Sequence, residues 1–357
     1  MHAVRPHAPR LLLVSMYPLD RGRWGPTVRI AHLRDELAAL TRLDVVSGYR
    51  GRRRLALVRY AASGRLRGLD GIYVESSTFL PAEADIAFLG LARGLGIPVL
   101  TYVRDAYQLF PDYAAQDGRR PLRRRIAAAA FRPALWALRR VSSRIAAPTD
   151  GLARAVLGER HGGLLLPPGA PPPVEVPRAE GAADLLFVGN AAHADHGVDR
   201  LVAAVRHVRA EGTPVGLTVV CRPGEEPPGE PPEWLRIERG DVAEIHALLP
   251  RIVATVIPRP RSAYNDLALP VKLMDYLSYG RPLIVTDCLE QARVVRDAEA
   301  GIVTGDDPLA IAAGIRQVLT AELPEIERWS RNGHAAARSA SWAHRARAIV
   351  DALGVDA

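Results

Sequence analysis

Twice along this chain, short apolar runs alternate with stretches of helical period, and a proline-dense segment separates the two sets. Such alternation predicts repeated strand–helix units and mainly parallel sheets, because each crossover helix must lie on a sheet face. In the first set, strands are expected at Leu11–Ser15, Leu43–Val46, Gly71–Val74, Val99–Val103 and Arg144–Ala146, with helices at Arg29–Leu40, Ala82–Leu95 and Arg123–Arg140. The second set gives strands at Asp184–Val188, Gly216–Cys221, Leu235–Arg239, Val253–Ile257 and Pro282–Thr286. Its helices fall at Val198–Glu211, Val242–Leu249, Val271–Tyr279 and Leu309–Thr320, followed by a helical stretch from Glu325 to Leu353. Between Leu166 and Arg178 stand six prolines, which neither continue a helix nor donate within a sheet, so an extended linker belongs there. The expected fold class is α/β, with two doubly wound, Rossmann-like domains facing a cleft. A chain of 357 residues suits two cores better than one. The expected division is 1–170, a linker at 171–182, a second domain at 183–325, and C-terminal helices at 326–357 that cross back to the first.

Charge is unevenly shared. Residues 1–178 carry 28 basic and 14 acidic side chains, a net +14, whereas 179–357 carry 19 and 25, a net −6. A basic half attracts anionic lipid or an anionic acceptor, and it equally suits a solvated arginine-rich face. The run Arg119–Arg125 beside Phe131, Leu135 and Trp136 is the candidate for peripheral contact with an anionic membrane, or else a core helix with a basic end. No nucleic-acid motif accompanies the charge, so no nucleic-acid partner is expected. The first apolar run, LLLVSMYPL, is broken by Pro18 and too short to span a bilayer. Cys221 and Cys288 lie far apart without metal or disulfide spacing, which fits a reducing cytoplasm, at or near the inner face of the cell membrane.

Of 47 basic residues, 46 are arginine and only Lys272 is lysine. Lysine is a compact ammonium on a flexible stem and arginine a broad planar fork, so a tight site can accept one and exclude the other. Pro270 opens the helix that carries Lys272, and Gly280 stops it. Lys272 therefore stands near a helix N-terminus, where free N–H groups and partial positive charge favour a diphosphate. Lys272 and Asp275 share one face at i,i+3, which also allows an ordinary ion pair.

The segment LPVKLMDYLSYGRPLIVTD resembles the S-P-x-K-x-x-E-Y-x-A-x-G-K-P-V-V-A-T block of retaining, group-1 type glycosyltransferases of GT-B fold. DLLFVGNAAHADHGVDRLVAAV resembles that family's strand, V-G-R turn and K-G-V-D-x-L-x-x-A helix start. LPPGAPPP is similar to L-P-N-G-V-D, SWAHRARAIVDAL to the terminal S-W-x-x-x-A helix, and VRDAYQLFPDY to an H-D-x-W-x-x-F-P segment. SMYPLDRGRWGPTVRIAHLRDEL resembles the glycine-bearing first loop. The matches run in the family's order over most of the chain.

The resemblance implies that Asp275 binds the nucleotide ribose and Lys272 the phosphates. Asn190 stands where the family has arginine, and His196 where it has lysine. The candidates for diphosphate neutralisation are then Arg259, Arg261, the helix N-terminus and, if it is protonated, His196. Asp266 stands nine positions before Asp275, not the family's eight, and together with Asp105 it is a candidate for a catalytic role. Arg104 replaces the family's histidine before Asp105. Gly22, Gly25 and Arg104 are candidates for an acceptor or phosphate loop, although a plain turn explains the glycines as well. Asp105 ends a strand, where it contacts an acceptor or caps a helix. His193, Asp195 and His196 lack a second ligand pair of metal spacing, so no metal is expected. Asp195 is read instead as a helix N-cap.

The implied reaction is retaining transfer of a sugar from a nucleotide-diphosphate donor to an acceptor hydroxyl, without metal or cofactor. Its setting is envelope polysaccharide, glycolipid or natural-product glycoside synthesis, with the acceptor left open. Two alternatives stay beside it: a non-catalytic sugar-nucleotide-binding partner of a polysaccharide assembly, and a nucleotide-sugar 2-epimerase. No complete G-x-G-x-x-G follows the first strand, which counts against a nicotinamide oxidoreductase.

Overall fold

The structure, a computed structural model, describes residues 8–19, 26–81, 83–110, 121–240 and 242–355. Two compact units divide the chain: residues 1–169 with 342–357, and residues 170–341.

The first unit holds strands β1 (Arg10–Ser15), β2 (Arg42–Ser47), β3 (Gly71–Glu75), β4 (Val99–Tyr102), β5 (Arg144–Ala147) and β6 (Leu164–Leu165). They form one parallel sheet in the order β2-β1-β3-β4-β5-β6. Leu11, Leu12, Leu13 and Val14 are all buried, as a strand covered by helices on both faces requires. The C-terminal helix Trp342–Leu353 belongs to this unit, where Trp342, Ile349, Val350 and Leu353 share a core with Leu11, Leu13 and Tyr73.

In the second unit, β7 (Asp184–Val188), β8 (Gly216–Val220), β9 (Leu235–Glu238), β10 (Ile252–Ile257), β11 (Leu283–Thr286) and β12 (Gly301–Thr304) lie parallel in the order β12-β11-β10-β7-β8-β9. Alternation along β7 feeds two cores. Leu185 and Phe187 join the helices Val198–Ala210 and Pro308–Leu319, while Leu186 and Val188 join the helix Val271–Ser278. The helix Leu323–Ser339 packs on the helix Val271–Ser278, at the point where Gly333 leaves room against the Leu277 carbonyl.

The proline-dense segment is docked on the second unit. Val174 N–H donates to Ser278 O at 2.8 Å, and Arg281 reaches Val176 O and Leu249 O, each at 2.8 Å. The α/β class and the two doubly wound sheets are those the alternation predicts. Among the described residues no helix is long and apolar enough to cross a membrane. Gly22, Gly25, Arg119 and Arg120 lie outside the described residues, as do the side chains of Arg123 and Arg124.

Candidate nucleotide-sugar site

In the second sheet the chain leaves β7 toward β8 on one side, while β10 lies on the other and leads to β11. Open parallel sheets bind ligands beyond the carboxyl ends of two such strands, where the order reverses. Here β7 and β10 pair only as far as Leu186 and Thr255, then continue to Val188 and Ile257. Val188 N–H is taken instead by the Tyr276 hydroxyl at 2.7 Å, which ties the helix Val271–Ser278 to the end of β7.

This tie sets Lys272. Its ammonium lies 4.0 Å from the centroid of the Phe187 ring, whose face attracts a cation. A Cβ added at Gly189 would come within 2.9 Å of Lys272 Nζ, so the glycine leaves the ammonium its place. Among the described residues no ion pair joins Lys272 to Asp275, so the i,i+3 salt bridge that the spacing allows is not formed. Burial, with Arg259 nearby, lowers the Lys272 pKa to about 7; Asp275 opposes that shift. Burial raises Asp275 to about 7 as well, against the pull of Lys272.

Arg259 follows β10 and is buried. Nη2 donates to Asn265 Oδ1, Asn265 Nδ2 donates to Pro260 O at 2.8 Å, and Arg259 Nε is left buried without a partner. The Arg259 carbonyl accepts from Thr286 Oγ1 at 2.5 Å, which anchors this loop to β11. Asn265 and Tyr276 thus position the two cations, and nothing in their sequence spacing marks them for it.

His196 closes the other side, with its ring 6.3 Å from that of Phe187. Its Nδ1 faces the Asn190 carbonyl, so Nδ1 carries the proton and Nε2 is left as an acceptor. Burial, reinforced by Lys272 and Arg259, lowers its pKa to about 3. The condition on which His196 would neutralise a diphosphate, a protonated ring, is therefore not met: at neutral pH it offers hydrogen bonding and no charge.

Asp195 is not the helix cap either. Gly197 occupies that position without a side-chain cap, His193 Nδ1 accepts from Asp195 N–H at 3.3 Å, and Asp195 Oδ2 is buried without a partner. Asn190 Oδ1 accepts from Ala192 N–H at 3.0 Å, which shapes the turn after β7.

Arg261 and Asp266 face one another. Nε and Nη2 of Arg261 meet the two carboxylate oxygens of Asp266 at 2.8 and 2.9 Å, and Nη1 reaches Asp287 at 3.2 Å. Two carboxylates neutralise this exposed arginine, in contrast to Lys272 and Arg259, so it adds little net charge for an anion. In the first unit, Asp105 is buried beside Arg104, whose Nε lies 3.3 Å from it. Among the described residues no group of three or more His, Cys, Asp or Glu side chains is placed to hold a metal ion.

Residues 182–321 match the family model described as glycosyl transferases group 1. Among solved structures, sucrose-phosphate synthase from Thermosynechococcus elongatus is similar over 96% of this chain and 98% of its own, at 14% identity and a TM-score of 0.69. WaaG, a glycosyltransferase involved in lipopolysaccharide biosynthesis, is similar over 96% of this chain and 99% of its own, at 16% identity and a TM-score of 0.61. Anabaena HepE in complex with UDP covers 97% and 99%, at 12% identity and a TM-score of 0.62. At these identities the likeness establishes the fold. No curated protein matches the chain at a significant level.

Proposed function

Taking as premise that residues 182–321 form a domain of the group 1 glycosyl transferases within a GT-B fold, we propose that the chain moves a sugar from a nucleotide-diphosphate donor to an acceptor hydroxyl with retained configuration. One observation carries this reading: Lys272 and Arg259 stand together at the carboxyl edge of β7 and β10, and among the described residues neither is paired with a carboxylate. The bond from the sugar's anomeric carbon to the diphosphate breaks, and a bond to the acceptor oxygen forms. The acceptor proton passes to the leaving phosphate. Charge building on that phosphate is met by the two fixed cations, which supply electrostatic stabilisation without a metal ion. Asp275, one helical turn beyond Lys272, accepts from the ribose hydroxyls, and His196 Nε2 accepts from a donor hydroxyl. Asn190 shapes the turn over the diphosphate. Asp266 and Arg261 border the donor as a pair, and Asp105 faces the acceptor. Product enters an envelope polysaccharide, a glycolipid or a natural-product glycoside.

Asp275→Asn tests the ribose contact. UDP, the nucleotide named with HepE, and its 2′-deoxy analogue are titrated against both proteins. Wild type should prefer the ribonucleotide by roughly tenfold, the worth of a charge-assisted hydrogen bond, and the variant should lose that preference. Equal discrimination by both proteins would remove Asp275 from the site.

The neutral residues Asn190 and His196, at positions where the resemblance puts arginine and lysine, favour a second reading: a sugar-nucleotide binder without turnover. Nucleotide binding with no product from a broad panel of donors and acceptors would select it. Release of an epimerised sugar without acceptor would select the 2-epimerase reading.

We also propose peripheral contact with anionic lipid through the helix Pro121–Val141. Leu122, Ile126 and Trp136 are exposed at 68%, 60% and 60%, and Arg125, Arg132 and Arg140 stand exposed among them. An apolar stripe with an arginine border suits a headgroup layer. Co-sedimentation with phosphatidylglycerol vesicles should exceed that with phosphatidylcholine, and Trp136→Ser with Ile126→Ser should weaken it about tenfold. Equal sedimentation of all three samples would refute the contact.

A further inference from the structure

We propose that the carboxyl edge of the first sheet is built to hold an oxyanion of the acceptor, a phosphate or carboxylate group, with Arg104 as the residue that selects for it. The inference rests on the glycosyl-transfer reading and names its acceptor class.

In this sheet the order reverses between β1 and β3, so the ends of β1, β3 and β4 frame the place where a doubly wound unit takes a ligand. Three guanidinium groups gather there. Arg104 follows β4, and its backbone N–H donates to Ser76 Oγ at 3.2 Å, which fixes the loop after β4 to the loop after β3. Its Nε meets Asp105 at 3.3 Å, while Nη1 is buried with no hydrogen-bond partner. Arg29 comes from the helix Pro26–Leu40 and is 2% exposed. Its Nε donates to Glu75 at 3.0 Å, its guanidinium carbon lies 3.9 Å from the Tyr102 ring centroid, and its Nη2 is buried without a partner. Arg29 Nη1 and Arg345 Nε donate to the adjacent carbonyls of Pro167 and Pro168, each at 3.4 Å.

Among the described residues two carboxylates answer these three cations. Glu75 accepts from Arg29 and from the Tyr73 hydroxyl, and Asp105 is engaged by Arg104. Among the described residues one positive charge and two buried N–H-bearing nitrogens remain unmatched. Buried donors without acceptors are uncommon in native proteins and mark places where a ligand completes the bonding. An oxyanion supplies several acceptors at once and matches the planar guanidinium fork. Arginine at position 104 adds a permanent charge where the resemblance puts a histidine, which is largely neutral at pH 7. That exchange selects an anionic acceptor over a neutral sugar.

The test uses the full chain saturated with UDP, so that the second unit's diphosphate site is filled. Glucose 6-phosphate, glucuronate, inorganic phosphate and glucose are titrated calorimetrically at constant ionic strength. Wild type should bind glucose 6-phosphate or glucuronate at least about tenfold more tightly than glucose, and whichever anion wins identifies phosphate or carboxylate. Inorganic phosphate should compete with the sugar phosphate if phosphate is the group held. Arg104→Met should bring the anion down to the affinity of glucose, and Arg104→Lys should recover part of it, with UDP affinity unchanged in both. Anions bound no better than glucose by wild type would overturn the proposal, as would an Arg104→Met variant that keeps the anion preference. The wild-type comparison decides the matter even where the variant fails to fold. Absence of UDP binding itself, with the anion preference intact, would strike the donor reading and leave this one standing.

Discussion

Lys272→Met should raise the melting temperature of the ligand-free protein by about 5 °C at pH 7 and abolish its response to a nucleoside diphosphate. The two effects have one cause. Among the described residues Lys272 has no ion-pair partner and stands beside Arg259, and burial with that neighbour lowers its pKa from 10.5 to about 7. Between those values the unfolded chain binds a proton that the folded chain does not, so stability rises with pH across the window. The cost is therefore greatest below pH 7 and gone above pH 10.5. Taken alone the shift corresponds to about 4 kcal/mol at neutral pH, and removing the charge that favours the Asp275 carboxylate takes back about half, leaving ~2 kcal/mol; methionine keeps the stem and the contact with Phe187 without the charge. A gain of this size moves the midpoint of a 150–250-residue domain by roughly 4–8 °C. Loss of the cation removes a charge-assisted phosphate contact and should weaken the diphosphate at least about thirtyfold. Thermal unfolding with and without UDP from pH 6 to pH 10 reads both. The stability advantage of the variant should shrink as pH rises, and a constant advantage would contradict the account.

Binding by wild type should pass through a maximum near pH 7. On the acid side Asp275 takes up a proton and loses its value as an acceptor; on the alkaline side Lys272 loses its charge. These limbs belong to the pair, and the residual, nucleoside-level binding of Lys272→Met should show only the acid one.

Gly197→Ala should unfold the second unit or destabilise it by about 3 kcal/mol or more. Gly197 has φ of 67°, and a Cβ there would lie 1.8 Å from the Pro258 carbonyl oxygen. A left-handed backbone alone costs an alanine about 1 kcal/mol, and a backbone clash cannot be relieved by rotating a side chain. The close approach draws the turn after β7 against the loop after β10, so relaxing it would part His196 from Arg259. Gly212→Ala is the control: φ is 89°, but a Cβ would meet nothing within 4 Å. It should lose only about 1 kcal/mol in urea unfolding, and equal losses for the two variants would refute the role of the contact.

The strand order cannot be read from composition, yet most strands can, because parallel strands buried on both faces appear as unbroken apolar runs such as LLLV. Elements that escape are short or masked by charge. β6 has two residues, β12 has four, and the helix Arg50–Ala62 begins RGRRR, which hides its apolar face of Leu57 and Tyr60. The helices Asp150–Leu157 and Leu289–Ala298 likewise fall between the expected elements. Lys272 stood out in the sequence because arginine fills every other basic position. The neutrality of His196 did not, since it depends on burial and on Lys272, 76 positions away, with Arg259 adding to it. Arg261 and Asp266 were legible one by one as ligand groups, but their bidentate pairing depends on how the loop after β10 folds back.

The most direct measurement is calorimetric titration of the full chain with UDP, GDP, ADP and dTDP, beside the matching nucleosides, at pH 7. At least one diphosphate should bind, its nucleoside should bind no better than about one-thirtieth as well, and Lys272→Met should erase the difference. Diphosphates that bind no better than their nucleosides, or a Lys272→Met variant that binds them as wild type does, would contradict a diphosphate site at the ends of β7 and β10.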